Sequence, residues 1–136
     1  MTDLRQDITT YSQWISTALL ESGYAADFTP SSVDEIERFM RDNSTNGTPA
    51  PDGFLAADTG ARLFAVGSYL GETIRLTVGG EWVVDNQDPQ GEVNVELHLP
   101  DGSIIWPVQR VVKRFFKGPE ENVAHYARNL GLASSQ

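Results

Sequence analysis

A helical apolar pattern that contains two glycines runs through Leu63-Phe64-Ala65-Val66-Gly67-Ser68-Tyr69-Leu70-Gly71-Glu72. Apolar residues recur here every three or four positions, which predicts a helix over 56–78 that ends at Gly79. Glycine inside a helix costs about 1 kcal/mol relative to alanine, so Gly67 and Gly71 need a compensating role. The favoured interpretation is close packing against a neighbouring element. The alternative is a groove in which a ligand or peptide approaches the backbone.

After this helix the apolar period changes to two. The alternation predicts strands over 81–85, 92–99 and 104–106, joined by a turn-rich loop and by a hairpin turn. Three antiparallel strands of this kind form a meander with one solvent-exposed face, and helices must cover the other face. Trp82 and Trp106 bracket the strands and are predicted to pin the sheet to these helices. An exposed tryptophan would instead anchor a partner.

Amphipathic patterns predict four further helices, over 2–22, 31–42, 107–117 and 119–130. Ser32 and Glu35 match a capping box at the start of the second helix. The polar, glycine- and proline-rich stretch 43–53 predicts a flexible loop, and 132–136 are expected to be a frayed tail. The predicted fold is a single α+β domain over 1–136, with a three-stranded antiparallel sheet packed against helices in the order αααβββαα.

The composition excludes several classes of protein. The chain has 136 residues, of which 40% are apolar, enough to bury one core without a disulfide or metal. It contains no cysteine, which removes thiolate catalysis and thiolate zinc sites. Its net charge of −9 opposes binding to nucleic acid and would steer it toward a basic protein partner. No apolar run reaches the roughly 18–20 residues of a membrane span, and the first residues lack a signal-peptide pattern, so we expect a cytoplasmic protein that does not enter membranes.

One face of the helix predicted over 56–78 carries a candidate site. Ser68, Glu72 and Arg75 share this face because they lie at positions i, i+4 and i+7. Glu72 and Arg75 are predicted to form an ion pair worth about 0.2–0.5 kcal/mol, with a partly buried and perturbed carboxylate as the alternative. His98 falls on the polar face of its strand. The candidate binding groove comprises Gly67, Ser68, Gly71, Glu72, Arg75 and His98.

A second candidate site is a basic patch on the helix predicted over 107–117. Four of the ten basic residues lie there, and a solvated helix face is the favoured interpretation. If the patch is a binding site, it would hold an acidic peptide or a phosphate group. The residues are Arg110, Lys113, Arg114 and Lys117.

The sequence contains no nucleophile elbow, no phosphate-binding loop and no metal-binding spacing of histidines. His98 and His125 are therefore expected to be surface residues. No cofactor or metal is predicted, and the pattern favours a protein without enzymatic activity.

Four segments together resemble small uncharacterised bacterial domains: the helix 63–72, the strand start Gly79-Gly80-Glu81-Trp82, the strand 93–99 and the segment 105–114. These carry a glycine–tyrosine–leucine–glycine–glutamate helix followed by a tryptophan-bearing strand. The similarity covers residues 54–128. Such domains occur as short stand-alone proteins of unknown function, and some are similar to genes in toxin–immunity neighbourhoods. The resemblance implies no catalytic residue.

Three hypotheses follow for the function. The first is a non-enzymatic cytoplasmic binding protein, an adaptor or immunity-like factor that meets a protein partner. The second is a small-ligand-binding or hydrolytic enzyme that uses Glu72, Arg75 and His98 in a cleft between helix 56–78 and the sheet. The third is a homodimer that buries an edge of the sheet. A pocket that holds Glu72 and His98 within hydrogen-bond reach would favour the second hypothesis, and an exposed apolar surface would favour the first.

Overall fold

The computed structural model describes residues 3–132. Within that range the chain forms the α-helices α1 (Leu4–Glu21), α2 (Ser32–Asn43), α3 (Thr59–Val78), α4 (Pro107–Lys117) and α5 (Val123–Asn129). The strands are β1 (Ser44–Thr45), β2 (Thr48–Pro49), β3 (Glu81–Val83), β4 (Glu96–His98) and β5 (Ile104–Ile105). Single 3-10 turns precede α3 and α5, at Phe54–Ala56 and Pro119–Glu121.

The α+β class and the antiparallel meander β3-β4-β5 are confirmed. The predicted order αααβββαα is wrong, because a second sheet, the hairpin β1–β2, lies between α2 and α3. This hairpin falls inside the predicted loop 43–53. Its turn is Asn46-Gly47, with φ of 45° and 90°, and positive φ at both positions suits a tight hairpin. The Gly47 N–H donates to the Phe115 carbonyl of α4 over 2.7 Å, which fastens the hairpin to the body of the protein.

Several predicted elements are shorter in the structure. The predicted strand 92–99 is reduced to β4, because the N–H groups of Val93 and Asn94 donate to the Gln90 carbonyl in turns. The predicted helix 119–130 is divided at Asn122, whose side chain caps α5 by accepting from two backbone N–H groups at 2.8 and 3.0 Å.

The predicted capping box does not form. Ser31 is the N-cap of α2, Ser32 donates its hydroxyl to the Thr29 carbonyl, and Glu35 accepts from the Ala25 N–H. In the predicted tail, Leu132 is buried, and 133–136 lie outside the described residues.

Helix α3 forms the centre of the core. Every residue from Leu63 to Gly71 is buried, so the helix is enclosed on all sides over more than two turns. It packs most extensively against α1 and α4. The inner face of the sheet contributes Trp82 and Leu97 to the same core, and Val95 joins them just before β4.

The two glycines of α3 allow neighbouring elements to approach its backbone. A Cβ atom at Gly67 would lie 2.5 Å from Cα of Val108 in α4. A Cβ atom at Gly71 would lie 2.2 Å from Cη2 of Trp82. Both distances are far below van der Waals contact, so neither site has room for a side chain. They support the interpretation that these glycines serve close packing, which compensates for their cost to the helix.

We expect Gly67→Ala to lower the free energy of unfolding by about 1–3 kcal/mol, because the new methyl group overlaps the backbone of α4. The matched control is Gly60→Ala in the first turn of the same helix, where a Cβ atom would meet nothing within 4 Å. Alanine should leave stability unchanged or raise it there, since it is the better helix former. Urea unfolding monitored by circular dichroism measures both variants, and equal stabilities would refute the packing role of Gly67.

Candidate functional site

Glu72 lies at the edge of the α3–sheet contact and accepts three hydrogen bonds. Arg75 donates to both of its carboxylate oxygens, with Nε 2.7 Å from Oε1 and Nη2 3.1 Å from Oε2. The Trp82 indole N–H also donates to Oε1, over 2.7 Å. Because the Trp82 ring lies against Gly71, its indole nitrogen is within hydrogen-bond distance of the Glu72 carboxylate. Both interpretations of Glu72 therefore hold in part, since it forms the predicted ion pair and is also largely buried, with 16% of its side chain exposed.

Two opposing effects act on the pKa of Glu72. Burial alone would raise it, but the hydrogen bonds from Arg75 and Trp82, together with the charge of Arg75, outweigh burial and lower it. The carboxylate is therefore ionised at neutral pH. A carboxylate held in this way is suited to fixing Trp82 and Arg75 in place and is poorly suited to donating a proton.

His98 does not lie with Glu72. In the register of β3 and β4, Glu81 pairs with His98 and Trp82 pairs with Leu97. Because side chains alternate across a strand, His98 lies on the face of the sheet opposite Trp82. Its Nε2 lies 2.7 Å from Oε1 of Glu96 on that outer face. Among the described residues, the side-chain partner of His98 is Glu96, and no hydrogen bond joins His98 to Glu72 or Arg75.

The remaining members of the predicted groove are buried. Val108 and Trp82 fill the space above Gly67 and Gly71, and the buried hydroxyl of Ser68 has no hydrogen-bond partner among the described residues. A shallow hollow of about 270 Å³ lies beside Glu72 and Arg75. It is lined by Arg5, Thr9, Glu72, Arg75, Gly80, Glu81 and Trp82. Ligand binding by the predicted set stays a prediction.

Of the four residues in the predicted basic patch, Arg114 is not on the surface. Its side chain is 2% exposed and pairs with Glu37 of α2, which is 3% exposed. The Arg114 Nε atom makes the directed hydrogen bonds, at 3.0 and 3.1 Å, and Nη2 adds an ionic contact at 2.9 Å. Glu37 also accepts from the Val123 N–H at the start of α5. The interpretation of four solvated charges is wrong for Arg114, because α2 and α5 cover this face of α4.

The other three basic residues surround a single carboxylate. Glu121, in the 3-10 turn before α5, lies 3.1 Å from Nη1 of Arg110 and 3.2 Å from Nζ of Lys113. The hydrogen bond from Lys113 is the main cause of the lowered pKa of Glu121, and the charges of Arg110 and Lys117 lower it further. Arg110 and Lys113 are therefore paired with a carboxylate of the protein itself.

An apolar groove borders these cations, and the sequence did not reveal it. The α4 groove has a volume of about 520 Å³ and lies between α4, α5 and the segment that joins β3 to β4. Its lining residues are Val93, Trp106, Gln109, Arg110, Val112, Lys113 and Tyr126. A second hollow of about 380 Å³ continues from it toward the N-terminus of α3 and shares Val93 and Val112 with it.

Two exposed aromatic residues mark the ends of this surface. Trp106, at the start of α4, is 39% exposed, and Phe116, near its end, is 59% exposed. The expectation that Trp82 and Trp106 both pin the sheet holds for Trp82, which is 9% exposed, and not fully for Trp106. The sequence did contain one signal for Phe116. Adjacent residues on a helix point in different directions, so Phe115 and Phe116 cannot both face the core.

Comparison with protein-family models, curated proteins and solved structures finds no match to this chain. Within residues 3–132 there is no group of three or more histidine, aspartate or glutamate side chains arranged to hold a metal ion. None of the helices in this part of the chain combines the length and apolar character that a membrane span requires.

The ion pair of Glu72 should contribute to stability in a pH-dependent way. Its folded-state pKa lies below the ordinary value, so its contribution is present above the unfolded pKa of about 4.3 and is lost as pH falls through the folded pKa. We expect Glu72→Gln to cost about 1–2 kcal/mol at neutral pH and progressively less as the pH is lowered below about 4.

Chemical denaturation at a series of pH values measures this difference. Glu21→Gln is the control, because Glu21 is exposed and forms no ion pair among the described residues. A stability difference between wild type and Glu72→Gln that stays constant from neutral to acid pH would contradict the assignment.

Proposed function

We propose that the protein is a non-enzymatic binding module that receives an amphipathic helix of a partner protein in the α4 groove. The observation that carries this proposal is the continuous apolar surface along α4, with Trp106 at one end and Phe116 at the other. Apolar side chains such as Leu20 and Leu76 are also exposed, but Trp106 and Phe116 each line a hollow beside α4. Exposed apolar surface with a polar rim is typical of protein interaction sites.

The dimensions of the surface suit a helical segment. Helix α4 has 11 residues and is therefore about 16 Å long, the length of three turns of a partner helix. Val112 and Phe116 lie four residues apart and thus line the same side of α4. An amphipathic helix would insert apolar side chains spaced by three or four residues into such a groove.

The groove also provides anchors of the kind that dominate binding energy. Tryptophan, tyrosine and arginine are enriched among such residues, and the groove contains Trp106, Tyr126 and Arg110. The Arg110 guanidinium lies 4.7 Å from the centre of the Tyr126 ring, which holds both side chains in position before a partner arrives.

The same proposal includes the setting in which the module acts. A cytoplasmic role as an adaptor or immunity-like factor is consistent with a chain that lacks cysteine and with the resemblance to bacterial domains in toxin–immunity neighbourhoods. The arrangement of Glu72, Arg75 and His98 lends less support to a hydrolytic role, since Glu72 pairs with Arg75 and Trp82 while His98 pairs with Glu96.

The test is capture of a partner by tagged protein, followed by calorimetry with that partner in purified form. We expect Trp106→Ser and Phe116→Ser each to weaken binding at least about tenfold, as loss of a hot-spot side chain does. The matched control is Leu76→Ser on α3, because Leu76 and Phe116 are both 59% exposed and Leu76 lies outside the groove. Leu76→Ser should bind like wild type.

Circular dichroism of each variant checks that it is folded. The proposal fails if all three variants bind equally, since the partner would then occupy another surface. It also fails if the wild-type protein retains no partner in a fixed ratio.

A further inference from the structure

The cations beside the α4 groove already hold a carboxylate that belongs to the protein itself. Glu121 contacts Arg110 at 3.1 Å and Lys113 at 3.2 Å. Arg110 and Lys113 line the groove, whereas Glu121 approaches them from the 3-10 turn outside it. A segment bound in the groove would therefore meet the same two cations from the other side.

Arg110 has hydrogen-bonding capacity that Glu121 does not use. A guanidinium offers five N–H donors in a planar fork that matches a carboxylate. Arg110 reaches Glu121 through Nη1, and its buried Nε has no hydrogen-bond partner among the described residues. A cation–π contact with Tyr126 holds the guanidinium in place. Because the Nε atom is buried, an incoming carboxylate would bind Arg110 by replacing Glu121 at Nη1.

Both charged residues that line the α4 groove, Arg110 and Lys113, are cations. The chain carries −9, which at long range favours a basic partner. Around the groove, Arg110, Lys113 and Lys117 all act on the one carboxylate of Glu121. At contact distance these cations favour a segment that carries its own carboxylates, because interactions beyond about 8–10 Å are screened at physiological salt.

We propose that Glu121 is an internal occupant of an anion subsite on Arg110 and Lys113, and that the partner helix carries a glutamate or aspartate that takes its place. The inference rests on the proposed function of the α4 groove and names the chemistry of its occupant. The Glu121 ion pairs are partly solvated, and such pairs contribute little to stability, so an incoming carboxylate anchored by apolar contacts can displace them. Glu121 then acts as a self-inhibitory contact that rejects segments without acidic residues.

The variants that test this inference are Glu121→Gln and Glu120→Gln. Both change the net charge by the same amount, and both lie in the same 3-10 turn. Glu121 contacts the two cations, whereas Glu120 forms no ion pair among the described residues. Any difference between the two variants therefore reports the position of the carboxylate and not the overall charge of the protein.

The probes are two fluorescein-labelled amphipathic peptides of about 16 residues with the same leucine face. One carries glutamates beside the leucines and the other carries lysines. Fluorescence anisotropy at low and at physiological salt gives their dissociation constants with the full-length protein. We expect the glutamate peptide to bind more tightly than the lysine peptide. Glu121→Gln should tighten binding of the glutamate peptide about three- to tenfold, and Glu120→Gln should change it less than about twofold.

Each other outcome overturns the inference in an identifiable way. Tighter binding of the lysine peptide would mean that the overall negative charge decides the partner. Equal effects of Glu120→Gln and Glu121→Gln would remove the special position of Glu121. If neither peptide binds, the inference of an acidic partner helix is wrong. The proposed function is then judged separately, by whether Trp106→Ser weakens binding of the captured partner. If the glutamate peptide binds equally well to Trp106→Ser, it binds outside the groove and both proposals lose their support.

Discussion

The close approach of Val108 and Trp82 to the two glycines of α3 determines the rest of the structure. Because Gly67 carries no side chain, Val108 reaches the backbone of α3, and the start of α4 is fixed against the centre of the core. Because Gly71 carries none, the Trp82 ring lies flat enough on α3 for its indole N–H to reach Glu72 over 2.7 Å. One pair of glycines thus positions both a helix and the sheet relative to α3, and the loss of helix propensity is offset by the dense packing that follows.

A buried ion pair holds α4 from its other side. Arg114 is enclosed between α2 and α5, where its Nε donates to Glu37, which also accepts from the backbone of Val123. Burying two charges is costly, so a pair of this kind adds little net stability. It does favour the one arrangement of the helices in which the two charges meet. With one face of α4 packed on α3 and another tied to α2, the third face carries the half-buried Val112 and the exposed Phe116. The groove is a consequence of how the other two faces are held.

The sequence predicts what local periodicity determines and misses what distant residues determine. Helix α4 begins and ends where the pattern places it, because Pro107 and Gly118 are local signals. Nothing local distinguishes Arg114 from the other cations of α4, since its partner Glu37 lies 77 positions away. The sequence likewise does not distinguish Trp82 from Trp106. In the structure it is Trp82 that packs against a glycine of α3. The hairpin β1–β2 was missed because its polar composition matches that of a loop. The exposed Phe116 could have been inferred, as it follows a core phenylalanine on the same helix.

We propose that the α4 groove, and no other surface, receives the partner. The three tryptophans test it directly, because Trp106 lines the groove, Trp82 is buried against α3 and Trp14 lies on α1. Their indole N–H groups give separate signals in a proton–nitrogen correlation spectrum of the nitrogen-labelled protein. The signal of Trp82 is the one that moves in Glu72→Gln, because this variant replaces the carboxylate that accepts the Trp82 hydrogen bond. On titration with the glutamate-bearing peptide, we expect the Trp106 signal to shift while those of Trp82 and Trp14 stay in place. A stationary Trp106 signal alongside a shift at Trp82 or Trp14 would contradict it.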